Sequence, residues 1–165
     1  MNFKKMILII SIAVIILFIV ADQLLKVWAV KELLPIGVMD FIKFGNFDVI
    51  GLRYVENDGA AFSSFSGAKI FLIVLTSLMI VGLAVYALRD KNKHPFMMLS
   101  TATVIAGGIG NLIDRIRLGY VIDYIEVRMF DFAIFNFADI CVVVGAICLV
   151  IYVLFVERKA EKSDG

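Results

Sequence analysis

The run MILIISIAVIILFIVADQLLKVWAV, residues 6–30, decides the fold. From Met6 to Ala21 it carries no charge, and Ser11 is its one polar side chain before Asp22. At 1.5 Å per residue a helix of this length reaches about 37 Å, enough to cross a hydrocarbon core of about 30 Å. Lys4 and Lys5 precede it, as in a secretory leader, yet no small-x-small cleavage site follows. The helical pattern instead continues through Asp22, Lys26 and Trp28, so an uncleaved spanning helix is expected.

Three further apolar stretches, residues 68–88, 96–113 and 137–156, are also long enough to cross. The chain has 165 residues, 62% of them hydrophobic, and its mean hydropathy is +0.98. A soluble domain is about 45–50% apolar, so a soluble monomer is excluded. The net charge of +1 offers no concentrated basic face, so nucleic acid is not an expected partner. One integral membrane domain over residues 1–165 is expected.

The basic residues set its orientation. Lys4 and Lys5, then Arg89, Lys91 and Lys93 between the second and third stretches, then Arg158, Lys159 and Lys162, place eight cations at three short ends. These ends are expected to be cytoplasmic, with both termini inside. Residues 31–67 and 115–136 then face the other side. The first of these, with alternating residues 44–54 and glycines at 37, 45, 51 and 59, reads as a small surface sheet. In the second, Arg115, Arg117, Asp123, Glu126, Arg128 and Asp131 interleave with apolar residues, and part of it is expected in the interface. Phe130, Phe132, Phe135 and Phe137 make an aromatic approach at headgroup depth.

Cys141 and Cys148 lie about 10 Å apart along a helix, too far for a disulfide, and read as packing residues. His94 is the one histidine, so neither a zinc site nor a Ser-His or Cys-His nucleophile pair can be assembled around it. The carboxylates remain. Asp22 and Lys26 are spaced for a same-face ion pair, a structural clasp before it is a catalytic device. Asp114 and Arg115 end a run whose glycines at 107, 108 and 110 permit close helix approach. Asn136 is placed to cap the fourth helix and Asp139 falls in its first turn, where an acid can also be a simple capping aid. Asp123 is either a solvated loop acid or the partner of Asp139. Two carboxylates brought to about 3 Å would share a proton, one serving as base on a water and the other as acid. The sixteen residues between them do not of themselves cause that meeting.

Five runs in order, Asp22-Gln23-Leu24-Leu25-Lys26, Asn57-Asp58-Gly59-Ala60-Ala61-Phe62, Gly110-Asn111-Leu112-Ile113-Asp114-Arg115, Gly119-Tyr120-Val121-Ile122-Asp123-Tyr124 and Phe135-Asn136-Phe137-Ala138-Asp139, resemble the lipoprotein signal peptidases. The resemblance implies a membrane all-α fold of four transmembrane helices with a small extracytoplasmic β-sheet cradle and an interfacial helix. It implies an aspartic endopeptidase of the bacterial inner membrane, active as a monomer near the extracytoplasmic face. Its substrate would be a diacylglyceryl-modified prolipoprotein lying among membrane lipids, cut before the lipid-bearing cysteine. Asp123 and Asp139 would be the catalytic pair, with no metal and no cofactor. Asn57, Asn111, Arg115 and Asn136 would line the site, supported by Asp22, Lys26 and Asp114. Many members have Trp-Pro where Ala133-Ile134 stands here and Phe where Tyr124 stands. Two other classes compete on the residues alone: an ion-conducting protein, which would spread acids across the bilayer depth, and a non-catalytic scaffold, which would tolerate amides at both aspartates.

Overall fold

A computed structural model describes residues 2–45, 47–59, 68–89 and 94–157. Among the described residues four helices are long and apolar enough to cross a membrane: Phe3–Ile36, Lys69–Arg89 within α3 (Ala68–Arg89), Pro95–Arg117 and Phe137–Val156. Three of them leave rows of large apolar side chains exposed, such as Ile16, Leu17 and Leu24 or Val143, Ile147 and Val150. Lipid is the solvent such surfaces require. The third in order, α4 (Pro95–Arg117), is different, with 67% of its spanning residues buried against 6–17% in the others. It is the central post. Gly107 lies against Ala138 and Cys141 of α5 (Phe137–Ile151), Gly110 against the Asp22 carboxylate, and a Cβ at either would collide with them.

The first helix, α1 (Phe3–Trp28), does not stop near residue 30. It passes through a π-helical turn, Ala29–Leu33, into the short α2 (Leu34–Ile36). Thirty-four residues make about 51 Å of helix, so the last turns rise well beyond a 30 Å core. Among the described residues this extension is the helical chain that runs beyond the spanning length. Burial explains it: Ala29 and Leu33 are fully covered by Leu52, Ile122 and Tyr124 of the sheet. Gly37, at φ 80°, then turns the chain into a strand, a conformation L side chains rarely adopt.

The sheet is three-stranded and antiparallel, in the order β1 (Val38–Phe44), β2 (Phe47–Asn57), β3 (Val121–Val127). Residues 31–67 alone do not make it. The third strand comes from residues 115–136, which beyond Arg117 are strand, turn and irregular chain. Its Val121–Tyr124 stretch is buried on both faces, so pairing with β2 and cover from the helices take precedence over lying flat in the interface. An isolated bridge from Ile125 to Phe135 then brings the chain to α5. The basic ends at Lys91 and Lys93 and at Arg158, Lys159 and Lys162, like Ala60, Ala61 and Phe62 of the second motif, lie outside the described residues.

Candidate active site

The N-terminus of α5 is where the chemistry gathers. The first free N–H groups of a helix need outside acceptors, and here each finds a side chain. Phe137 N–H donates to the Tyr124 hydroxyl at 3.3 Å, Ala138 N–H to Asp22 Oδ1 at 3.1 Å, and Asp139 N–H to the cap oxygen of Asn136 at 3.0 Å. Asp139 Oδ2 returns the bond from the Asn136 N–H at 3.1 Å, closing a capping box. β3, α1 and α5 are thus tied at one point.

Asn136 is fully buried and binds both acids. Its Nδ2 donates to Asp123 Oδ1 at 2.7 Å, and its main chain holds Asp139. Asp123 Oδ2 accepts from Asn57 Nδ2 at 2.8 Å. Sheet register explains that contact: Asn57 is paired with Val121 and Asp123 with Val55, so the two side chains are diagonal neighbours on one face. An Asx turn, Gly59 N–H to Asn57 Oδ1 at 2.9 Å, leaves the amide nitrogen to the acid. Asp139 Oδ1 accepts from Asn111 Nδ2 at 2.7 Å.

Below the acids lies Lys26, 2% exposed, bonded to Asp22 at 2.9 Å and to Asp114 at 2.8 Å. Its third proton goes to Asn111 Oδ1 at 3.0 Å. With that oxygen engaged, the Asn111 amide nitrogen must face Asp139. Asp114 also accepts the Ile122 N–H at 3.2 Å, which fixes β3 against α4. Gln23, not singled out from sequence, bridges Asp22 and Asp114 at 3.2 and 3.1 Å. Tyr124 was also read only as a departure, and it proves to be an acceptor for α5. Both stand inside runs that carry the family resemblance, which is the signal that could have marked them.

Eight of the nine expected site residues therefore form one hydrogen-bonded cluster. Arg115 is the exception: half-buried near the charges of Asp139, Asp123 and Asp114, it has no hydrogen bond or ion pair among the described residues. Burial pushes the Asp123 carboxyl up to about 6; the Asn57 amide pulls the other way, and the Asp139 charge adds to the rise. Burial also raises the Tyr124 phenol, so it stays protonated. Among the described residues no three His, Cys, Asp or Glu side chains are grouped as a metal would need.

Asp123, Asp139 and Asn57 form the polar end of a cavity of about 460 Å³. Its walls are apolar: Phe132, Ile134 and Phe135 on one side, Ile140, Val143 and Val144 of α5 on the other. Edge-to-face contacts at 5.9 Å run from Phe130 to Phe132 and on to Phe135.

Comparison with known proteins gives a consistent answer. Residues 14–155 match the family model described as signal peptidase (SPase) II. A lipoprotein signal peptidase of Clostridioides difficile (strain 630) is 42% identical over 151 residues, covering 91% of this chain and 98% of that one. One from Lactococcus lactis subsp. cremoris (strain MG1363) is 40% identical, covering 87% and 93%. A bacterial membrane enzyme solved by the in meso method at 1.9 Å resolution superposes with a TM-score of 0.77, at 27% identity over 88% of this chain and 93% of its own.

Proposed function

Because this chain belongs to the signal peptidase II family, and is thereby a membrane peptidase, we propose that it is an aspartic endopeptidase that removes signal peptides from diacylglyceryl-modified prolipoproteins. Cleavage falls immediately before the lipid-bearing cysteine. The observation that carries this reading is the convergence of Asp123 and Asp139 on Asn136, at the polar end of an otherwise apolar cavity.

In that arrangement one carboxylate takes a proton from a water, and the resulting hydroxide adds to the scissile carbonyl. The other, protonated, gives its proton to the carbonyl oxygen; as the C–N bond of the tetrahedral species breaks, the first carboxyl passes the water's proton to the leaving amine and the second takes its proton back from the hydroxyl. The Asn57, Asn111 and Asn136 amides hold both acids in place while charge moves between them. The apolar walls suit the acyl chains and signal helix of a substrate that never leaves the lipid. No metal or cofactor enters these steps, and one copy of the chain contains every group they use.

The topology supports a bacterial cytoplasmic-membrane enzyme with both termini inside. Lys4, Lys5 and Arg89 mark one end of the bundle, whereas the acids, the sheet and the helical extension mark the other.

The test uses purified protein in lipid with a lipid-modified prolipoprotein, product being followed by gel mobility. Asp123→Asn and Asp139→Asn should each lower turnover at least about 10³-fold while still inserting, the scale of an acid–base group. Full turnover by either variant would overturn the assignment. The parent should cut the lipidated precursor and leave its unlipidated counterpart intact.

A further inference from the structure

A second cavity of about 400 Å³ lies on the other face of the β2–β3 ribbon. Side chains alternate along a strand, and both strands divide between the two cavities. Asn57 and Asp123 enter the acid cavity, whereas Tyr54, Glu56, Tyr120 and Ile122 line this one. Its apolar wall is Val27, Val30 and Leu34, a stripe running up α1 into the helical extension. At its mouth stand Lys31, on the extension, and Arg117, the last residue of α4. Both are exposed, and neither has a hydrogen bond or ion pair among the described residues.

The geometry points to a binding site for one anionic phospholipid, its phosphate between Lys31 and Arg117 and an acyl chain along Val27, Val30 and Leu34. Depth supports it, because Lys31, on the extension past α1, lies about 37 Å along the helical run from Met6, beyond a hydrocarbon core of about 30 Å. Charge supports it as well. The deeper Lys26 and Asp114 satisfy each other at 2.8 Å, so two free cations at the rim face one acid, Glu56, whose carboxylate accepts from the Tyr54 hydroxyl at 2.9 Å. Cations beside an apolar inter-helix wall select an anionic headgroup over a zwitterionic one. The site is separate from the acid cavity, so a lipid held here anchors α1 and α4 at fixed depth without occupying the peptidase site.

Native mass spectrometry of the delipidated full chain in detergent tests this with phosphatidylglycerol, phosphatidylcholine and inorganic phosphate as probes. Phosphatidylglycerol should be retained in preference to phosphatidylcholine. Lys31→Ala and Arg117→Ala should each weaken retention about fivefold and together roughly 30-fold. Glu56→Gln should strengthen it. Equal retention of the two lipids, unchanged retention by the double variant, or full displacement by inorganic phosphate would each overturn the proposal. Turnover of lipidated precursor by the double variant, expected at the parental level, shows that the fold is intact, and it reads the peptidase assignment independently of the lipid result.

Discussion

Two lysines, Lys26 and Lys43, sit in nearly the same chemistry in opposite surroundings. Lys26 binds Asp22 and Asp114 at 2.9 and 2.8 Å with all three side chains at most 4% exposed. Lys43 binds Asp40 and Asp48 at 2.7 and 3.2 Å with each side chain 43–49% exposed. In the first cluster water cannot replace a missing partner. In the second it can, so similar bond lengths stand for very unequal consequences.

The largest effect should come from Lys26→Met. It leaves two buried carboxylates facing each other and frees Asn111 to turn its amide away from Asp139. We expect a loss of about 3–5 kcal/mol, read by thermal unfolding in detergent, with peptidase activity falling further than stability explains. Parental stability in this variant would erase the contrast between the clusters.

Titration sharpens the comparison, because two acids move in opposite directions. Burial raises Asp123 to about 6 from 3.8, whereas bonds from Lys43 and Arg128 lower Asp40. A raised acid keeps its proton in the folded protein at a pH where the unfolded chain has released it. Its contribution is therefore complete below 3.8 and lost as pH rises through about 6, while that of Asp40 is present above 3.8 and lost on acidification. Asp123→Asn removes the first slope. The stability of this variant relative to the parent should rise by roughly 2.5 kcal/mol between pH 4 and pH 7. A pH-independent difference would show that burial does not control this acid.

The smallest effect belongs to Lys43→Ala. Neither the melting temperature nor turnover should change, because solvent and Arg128, which also contacts Asp40 and Asp48, take over. A clear drop in melting temperature would mean that the exposed cluster braces the sheet.

Much of this was legible in the chain. The run of residues 6–30 fixed a spanning helix by length and hydropathy, since lipid admits few alternatives to a continuous helix. Asp22 and Lys26 are four apart with the acid first, and that spacing alone joins them in any helix. Asn136 and Asp139 likewise form their capping box from local geometry. Two features were not legible. The helix running on to Ile36 depends on Ala29 and Leu33 meeting Leu52 and Ile122, contacts from distant segments that no local pattern announces. The third strand is similar: the segment 115–136 reads only as partly interfacial until β2 supplies a partner for the backbone of residues 121–127.

What the sequence determined by itself is therefore everything that period, length and near-neighbour spacing can express: four apolar spans, the cap of the fourth and the pair on α1. What tertiary structure decided is the convergence of Asp123 and Asp139 on Asn136, at the lining of one cavity. It requires β3 to pair with β2, Asn57 to reach across the sheet, and Asn136 to turn its amide toward Asp123 while its main chain holds Asp139. Periodicity is a property of adjacent residues, but a carboxylate pair is a property of surfaces that only packing brings face to face.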